Sequence, residues 1–207
     1  MDAKEYERLR KEKSYKRIIA DEKQGRAIYR MLPYYEDSVL LGDSIAESIL
    51  DFRLLRKNNV LARRGKCIDM IDEDIEKVFV LCPKIIYMEF GKNDILHFHK
   101  DVKAFISVYA EKILKIKDTL PDVKIYVNSI IPMQKEVMEK NGGQAVLDEF
   151  NEGLYLMCQH FHLTYIDNQA LVDWNDETFE FDGIHPKYPY YSLWLAHMAK
   201  TAGVYPY

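Results

Sequence analysis

Three short segments of this chain carry residue types that together could break an acyl bond. Gly42-Asp43-Ser44 supplies a hydroxyl, Gly91-Lys92-Asn93-Asp94 an amide, and Asp182-Gly183-Ile184-His185 a carboxylate and an imidazole three residues apart. A serine hydroxyl is a poor nucleophile unless a neighbouring base takes its proton, and imidazole is the side chain best suited to do so near neutral pH. Asp182 would hold the His185 ring in one tautomer and stabilise its cationic form. Asn93 could donate N–H to an oxyanion. Each segment also has a plainer role when taken alone. Ser44 could be a helix N-cap, Asn93 a turn residue bonded to its own backbone, and Asp182 and His185 an ordinary loop pair.

The elements around these residues decide between the roles. Residues 38–41 form a continuous apolar run, as expected of a strand buried on both faces, and Ile45, Ile49, Phe52 and Leu55 then recur every three or four positions, predicting a helix over 44–57. Further strands are predicted at 59–62, 84–89, 123–128 and 163–166, with helices at about 69–80, 100–118, 144–161 and 188–201. Strands alternating with helices imply βαβ units and a mostly parallel five-stranded sheet covered on both faces. Ligands of such sheets bind beyond the carboxyl ends of the strands, and both Ser44 and Asn93 directly follow a predicted strand.

These motifs make the chain resemble the SGNH/GDSL hydrolases. Gly42-Asp43-Ser44-Ile45 is similar to that family's first block, Gly91-Lys92-Asn93-Asp94 to its third and Asp182-Gly183-Ile184-His185 to its last. Weaker similarities lie at Ser129-Ile130-Ile131-Pro132, Phe150-Asn151 and Tyr165-Ile166-Asp167, so the resemblance spans about residues 38–200. It implies a flavodoxin-like three-layer α/β/α sandwich and a serine esterase with Ser44, Asp182 and His185 as catalytic residues. The implied oxyanion hole consists of Ser44, Gly65 and Asn93. In the second block the family often has an asparagine and two glycines, whereas this chain has Leu61-Ala62-Arg63-Arg64-Gly65-Lys66-Cys67, leaving Gly65 as the candidate backbone donor. No cofactor is implied. The expected substrate is a small ester, with short O-acyl groups such as acetyl on a carbohydrate preferred, and lysophospholipids or thioesters as the alternative.

Phe90, His97, Phe98 and Trp174 are expected to line the substrate pocket, and residues 133–144, with Asn141-Gly142-Gly143, to form a mobile loop after the fourth strand that could cover it. His97-Phe98-His99 could chelate a metal, but the sequence places no third and fourth ligand, so none is expected. Two rivals come from other classes. A non-catalytic carbohydrate-binding protein of the same fold would not need Ser44, Asn93, Asp182 and His185 all intact. A receiver-like signalling domain would leave Asp182-Gly183-Ile184-His185-Pro186 without a purpose.

Composition bounds the rest. The chain has 207 residues, 48% hydrophobic and 30% charged, enough for one domain with a large core. A net charge of −4 gives no broad positive field for nucleic acid. Cys67, Cys82 and Cys158 form no metal spacing and are expected as reduced thiols. Residues 1–35, rich in Lys, Arg and Glu, are expected to form a helical extension packed on a hydrolase domain of 36–207. The start of the chain has no apolar signal segment and no later run is long enough to span a bilayer, so the expected location is the cytoplasm, without membrane partners and with a homo-oligomer left open.

Overall fold

In the computed structural model, residues 31–172 and 178–205 are described. Five strands, β1 (Ser38–Gly42), β2 (Val60–Ala62), β3 (Ile85–Glu89), β4 (Lys124–Asn128) and β5 (Thr164–Ile166), form one sheet in the order β2-β1-β3-β4-β5. Every pairing is parallel. Successive side chains of a strand point to opposite faces, so an all-apolar strand must find cover on both. Leu40, Tyr87, Tyr126 and Ile166 accordingly enter one core, and Val39, Leu41, Ile86, Met88, Ile125 and Val127 the other.

The first core is closed by α1 (Ser44–Asp51) and α7 (Tyr188–Thr201), and the second by α2 (Asp72–Leu81), α4 (Val102–Thr119) and α6 (Gly143–His160). This is the expected three-layer α/β/α sandwich. Helix α7 is buried along its whole middle from Tyr190 to Ala199, and its Trp194 donates to Asn128 Oδ1 at 3.1 Å, fixing the helix to the end of β4. Met31, Leu32 and Tyr35 are also buried in the first core, where the Tyr35 hydroxyl donates to the carbonyl of Leu195 at 2.6 Å. Of the expected N-terminal extension, only residues 31–35 fall among those described.

Two local expectations are corrected. Helix α1 ends at Asp51 rather than running to 57, because Arg53 turns into the left-handed region at φ 55° and the chain folds back to bury Leu54 and Leu55. Residues 133–144 are not an irregular loop: they contain α5 (Lys135–Lys140), anchored by buried Met133 and Met138. A one-turn helix, α3 (Asp94–His97), follows the Gly91 turn.

Candidate active site

The carboxyl ends of β1 and β3 lie side by side, with Gly42 paired to Glu89, so the turns that follow them share one edge of the sheet. At the first turn Asp43, not Ser44, caps α1: its side chain accepts the N–H of Ile45 at 2.8 Å. Ser44 is thereby left at the first helical position with its hydroxyl uncommitted to capping. At the second turn Gly91 has φ 136°, and a Cβ there would stand 2.2 Å from Ile130 Cδ1, so both conformation and space require glycine. Asn151 holds Ile130 in place through two hydrogen bonds, from the Ile130 N–H at 2.8 Å and to its carbonyl at 2.9 Å.

The third segment arrives from the other end of the chain as a small hairpin. Phe179 bridges Pro186 in antiparallel fashion, and the N–H of Glu180 donates to the His185 carbonyl at 2.7 Å. Within it Asp182 Oδ1 accepts the N–H groups of Ile184 and His185 at 2.8 and 3.0 Å, a local turn that orients the carboxylate. Its other oxygen lies 2.5 Å from His185 Nδ1, and His185 Nε2 lies 2.8 Å from Ser44 Oγ. Hydroxyl, imidazole and carboxylate therefore form one continuous chain. Nδ1–H donates to Asp182 and Nε2 accepts from Ser44, the tautomer a general base needs. Burial acts to raise the Asp182 carboxyl, but the two backbone N–H groups and the imidazole overcome it and hold it below the ordinary range.

Asn93 stands between these parts, with Nδ2 donating to Asp43 Oδ2 at 3.1 Å and to the carbonyl of Lys66 at 3.3 Å. The second bond links it to the turn containing Gly65, which is exposed with φ 72°. Lys66 anchors that turn by a buried ion pair with Asp74 of α2. Asp94 is buried and accepts the N–H of Ile68 at 2.8 Å; burial pushes its carboxyl up to about 7.

The expected pocket residues divide differently. Phe90 is 1% exposed and packs edge-on against Tyr109, because the Gly91 turn directs it into the second core. His97 pairs with Asp69 at 2.7 Å, and Phe98 sits edge-on against Phe105. Trp174 lies outside the described residues. Cys67, Asp69 and His97 bring a thiol, a carboxylate and an imidazole within 4.8 Å of one another, but burial first, and then Asp94, push the Cys67 thiol up to about 12. A groove of about 840 Å³ runs along the outer edge of β2 and is lined by none of Ser44, Asn93 or His185.

A sequence model of the GDSL-like lipase/acylhydrolase family matches residues 40–192, a span containing all three segments. The chain belongs to this family. As a GDSL-family acylhydrolase it is an ester hydrolase. Its fold is similar to solved structures of a carbohydrate esterase of family 3 from Talaromyces cellulolyticus (TM-score 0.63, 18% identity, 80% of this chain and 95% of that one). A GDSL-like lipase from Bacteroides thetaiotaomicron (TM-score 0.64, 15% identity, 92% and 96%) is similar in the same way. So is an acetyl xylan esterase from Geobacillus stearothermophilus (TM-score 0.60, 13% identity, 82% and 95%). No curated protein matches the sequence. No described helix of this acylhydrolase is long and apolar enough to cross a membrane.

Sequence reasoning missed Glu89 and Lys92 as parts of the site. Glu89 reads as the last residue of a strand and Lys92 as a turn residue, yet both are buried, Glu89 being 4% and Lys92 7% exposed. The available signal was a pair of charged residues flanking Phe90-Gly91 at a strand end that the topology directs inward.

Proposed function

We propose that the protein is a serine esterase that removes short O-acyl groups, acetyl foremost, from a carbohydrate or other small substrate through an acyl-enzyme on Ser44. The observation that carries this reading is the continuous contact from Ser44 Oγ to His185 Nε2 at 2.8 Å and from His185 Nδ1 to Asp182 at 2.5 Å. As Ser44 Oγ bonds to the ester carbonyl carbon, its proton passes to Nε2. The imidazolium then gives that proton to the departing alkoxide as the C–O bond breaks. Water repeats the sequence on the acyl-enzyme, with His185 as base, and frees the carboxylic acid.

The developing oxyanion is received by the backbone N–H of Ser44 at the start of α1, the side chain of Asn93 and the backbone N–H of Gly65. Asn93 already uses both amide hydrogens, so in this role it exchanges its longer bond, the 3.3 Å contact with Lys66, for one to the oxyanion. The preference for a short acyl group on a sugar draws support from the carbohydrate esterase and acetyl xylan esterase among the similar folds.

A panel of p-nitrophenyl esters from acetyl to long chain, run beside acetylated sugars, tests both levels. Turnover greatest with acetyl esters and abolished in Ser44→Ala is expected. A preference for long chains would move the substrate to lysophospholipids, and turnover surviving Ser44→Ala would remove the acyl-enzyme.

A further inference from the structure

Beneath the nucleophile lies a cluster of charged groups that the hydrolytic steps do not use. Asp43 is fully buried, Glu89 and Lys92 nearly so, and they come from the β1–α1 turn, the end of β3 and the turn before α3. Buried charges persist only when paired and hydrogen-bonded. The two carboxyls lie in each other's field, and burial raises both, while Glu89 Oε2 is buried without a hydrogen-bond partner. Burial first, and then the charge of Asp43, push Glu89 well above the carboxylate range. Asp43 first, and then Glu89, favour the ammonium form of Lys92 against its burial.

The ammonium reaches across the site. Lys92 Nζ donates to the carbonyl of Ile184 at 3.2 Å and to that of Pro132 at 3.5 Å. Ile184 immediately precedes His185, and Pro132 leads into α5, whose entry is itself tied to the hairpin by the Gln134 N–H donating to the Gly183 carbonyl at 2.8 Å. Gly183 fits there only without a side chain: its φ is 67° and a Cβ would meet Gln134 Oε1 at 2.5 Å. The loop carrying the imidazole is therefore fastened to the body at two adjacent carbonyls, one of them through Lys92.

We propose that Lys92 is a positioning residue: by gripping the Ile184 and Pro132 carbonyls, with its charge met by Asp43 and Glu89, it holds His185 within reach of Ser44, and this grip weakens from charge-assisted to neutral hydrogen bonds when Lys92 gives up its proton. The proposal rests on the esterase reading above. Burial lowers Lys92 to about 8, opposed by Asp43, Glu89 and Asp182, the charged groups that face it from the β1–α1 turn, β3 and the hairpin. His185 acts in turn on Asp43, Asp94 is acted on by Asp43, and Tyr109 of α4 and Tyr190 and Tyr191 of α7 stand in the field of Glu89. Because the folded-state value is depressed, the ammonium is present below about pH 8 and disappears above it. A serine triad alone has no reason to slow there, since a neutral imidazole stays neutral.

The test is kcat and KM for p-nitrophenyl acetate from about pH 6 to 10, per active site titrated with a fluorophosphonate on the full chain, Lys92→Met and Lys92→Gln, and per mole of protein on Ser44→Ala. The wild type is expected to lose kcat above about pH 8 and to level off near the kcat of Lys92→Gln, while its circular dichroism is unchanged. Lys92→Met should lower kcat at pH 7 by about 10- to 100-fold, as a small misplacement of a reacting group does, with KM within about threefold and no alkaline fall. Lys92→Gln, which keeps N–H donors without a titratable charge, should recover part of the lost kcat, again with no alkaline fall. A wild-type kcat that stays level to pH 10 overturns the proposal even if no variant folds. So does a lysine variant that keeps wild-type kcat or keeps the alkaline fall. Turnover by Ser44→Ala would instead overturn the esterase reading, so the two failures are distinct.

Discussion

The two halves of the candidate site are built in opposite ways. The nucleophile half sits on strand ends: Asp43 is 0% and Ser44 8% exposed, and Asn93 is braced by two hydrogen bonds. The proton-relay half is the small hairpin closed by Phe179 and Pro186, whose Asp182 side chain is 45% and His185 side chain 28% exposed, and whose Phe181 stands fully in solvent. Charge that develops in a transition state is best met by donors already fixed, because moving them at that moment costs energy. An imidazole that must pass a proton in both directions tolerates a wetter setting, provided a few contacts keep it aligned. The difference predicts that changes in the relay half act on rate with little effect on stability, whereas changes in the nucleophile half that break its bracing hydrogen bonds act on both.

The largest effect should come from Asp182→Asn, which takes away the carboxylate that selects the His185 tautomer. We expect kcat to fall about 10³- to 10⁴-fold while the thermal midpoint shifts by no more than a few degrees. A variant that unfolds would place the hairpin in the structural core and erase the contrast. Next is Asn93→Ala, with kcat lowered about 10²- to 10³-fold, roughly 3 to 4 kcal/mol, and KM nearly constant. Were Asn93 only a brace between Asp43 and the Gly65 turn, the change would appear instead as about 0.5 to 2 kcal/mol of lost stability with kcat intact. Measuring kcat and the urea midpoint together separates the two.

Asp94 should show the pattern of the buried half most clearly. Its folded value of about 7 lies above the ordinary 3.8, so the folded state binds the proton more tightly than the unfolded chain. The protein is therefore not penalised below about pH 4, loses stability as pH rises towards 7, and stays penalised above it. Asp94→Asn keeps an oxygen for the Ile68 N–H and cannot ionise, so it should gain on the order of 2 kcal/mol relative to wild type between pH 4 and pH 8. Equal stability curves for the two proteins across that range would show that Asp94 is not held up by burial. The smallest effect is expected for His97→Ala, which opens a half-exposed pair with Asp69: under about 1 kcal/mol of stability, and kcat within about twofold. A large loss of kcat would return His97 to the substrate pocket.

Much of this was legible in the chain because it rests on local rules. The apolar runs within the strands announce a sheet covered on both faces, and Gly42-Asp43-Ser44 and Gly91-Lys92-Asn93-Asp94 announce turns at its carboxyl edge. What stayed hidden depends on where side chains go after those turns. Phe90 resembles a pocket residue by sequence and lies in the core because Gly91 redirects the backbone. Residues 135–140 read as a loop because a six-residue helix shows too few turns for its period to register, and its apolar anchor Met138 has no partner visible nearby in sequence. Glu89 and Lys92 were passed over because charged residues are ordinarily at the surface, and only the three-dimensional path brings Ile184 and Pro132 to Lys92.

Asp43, by capping α1, frees Ser44 from any part in holding the helix together. In many helices the first hydroxyl is also the cap, and deleting it costs about 1 kcal/mol; here Ile45 is held by Asp43, so the helix keeps its start when Ser44 changes. Ser44→Ala should melt with the parent protein while retaining its walls, loop and buried charges. A silent catalyst of that kind is a bait: soaked with a library of acylated sugars and lipids, it can hold its natural ligand long enough for the bound molecule to be eluted and weighed.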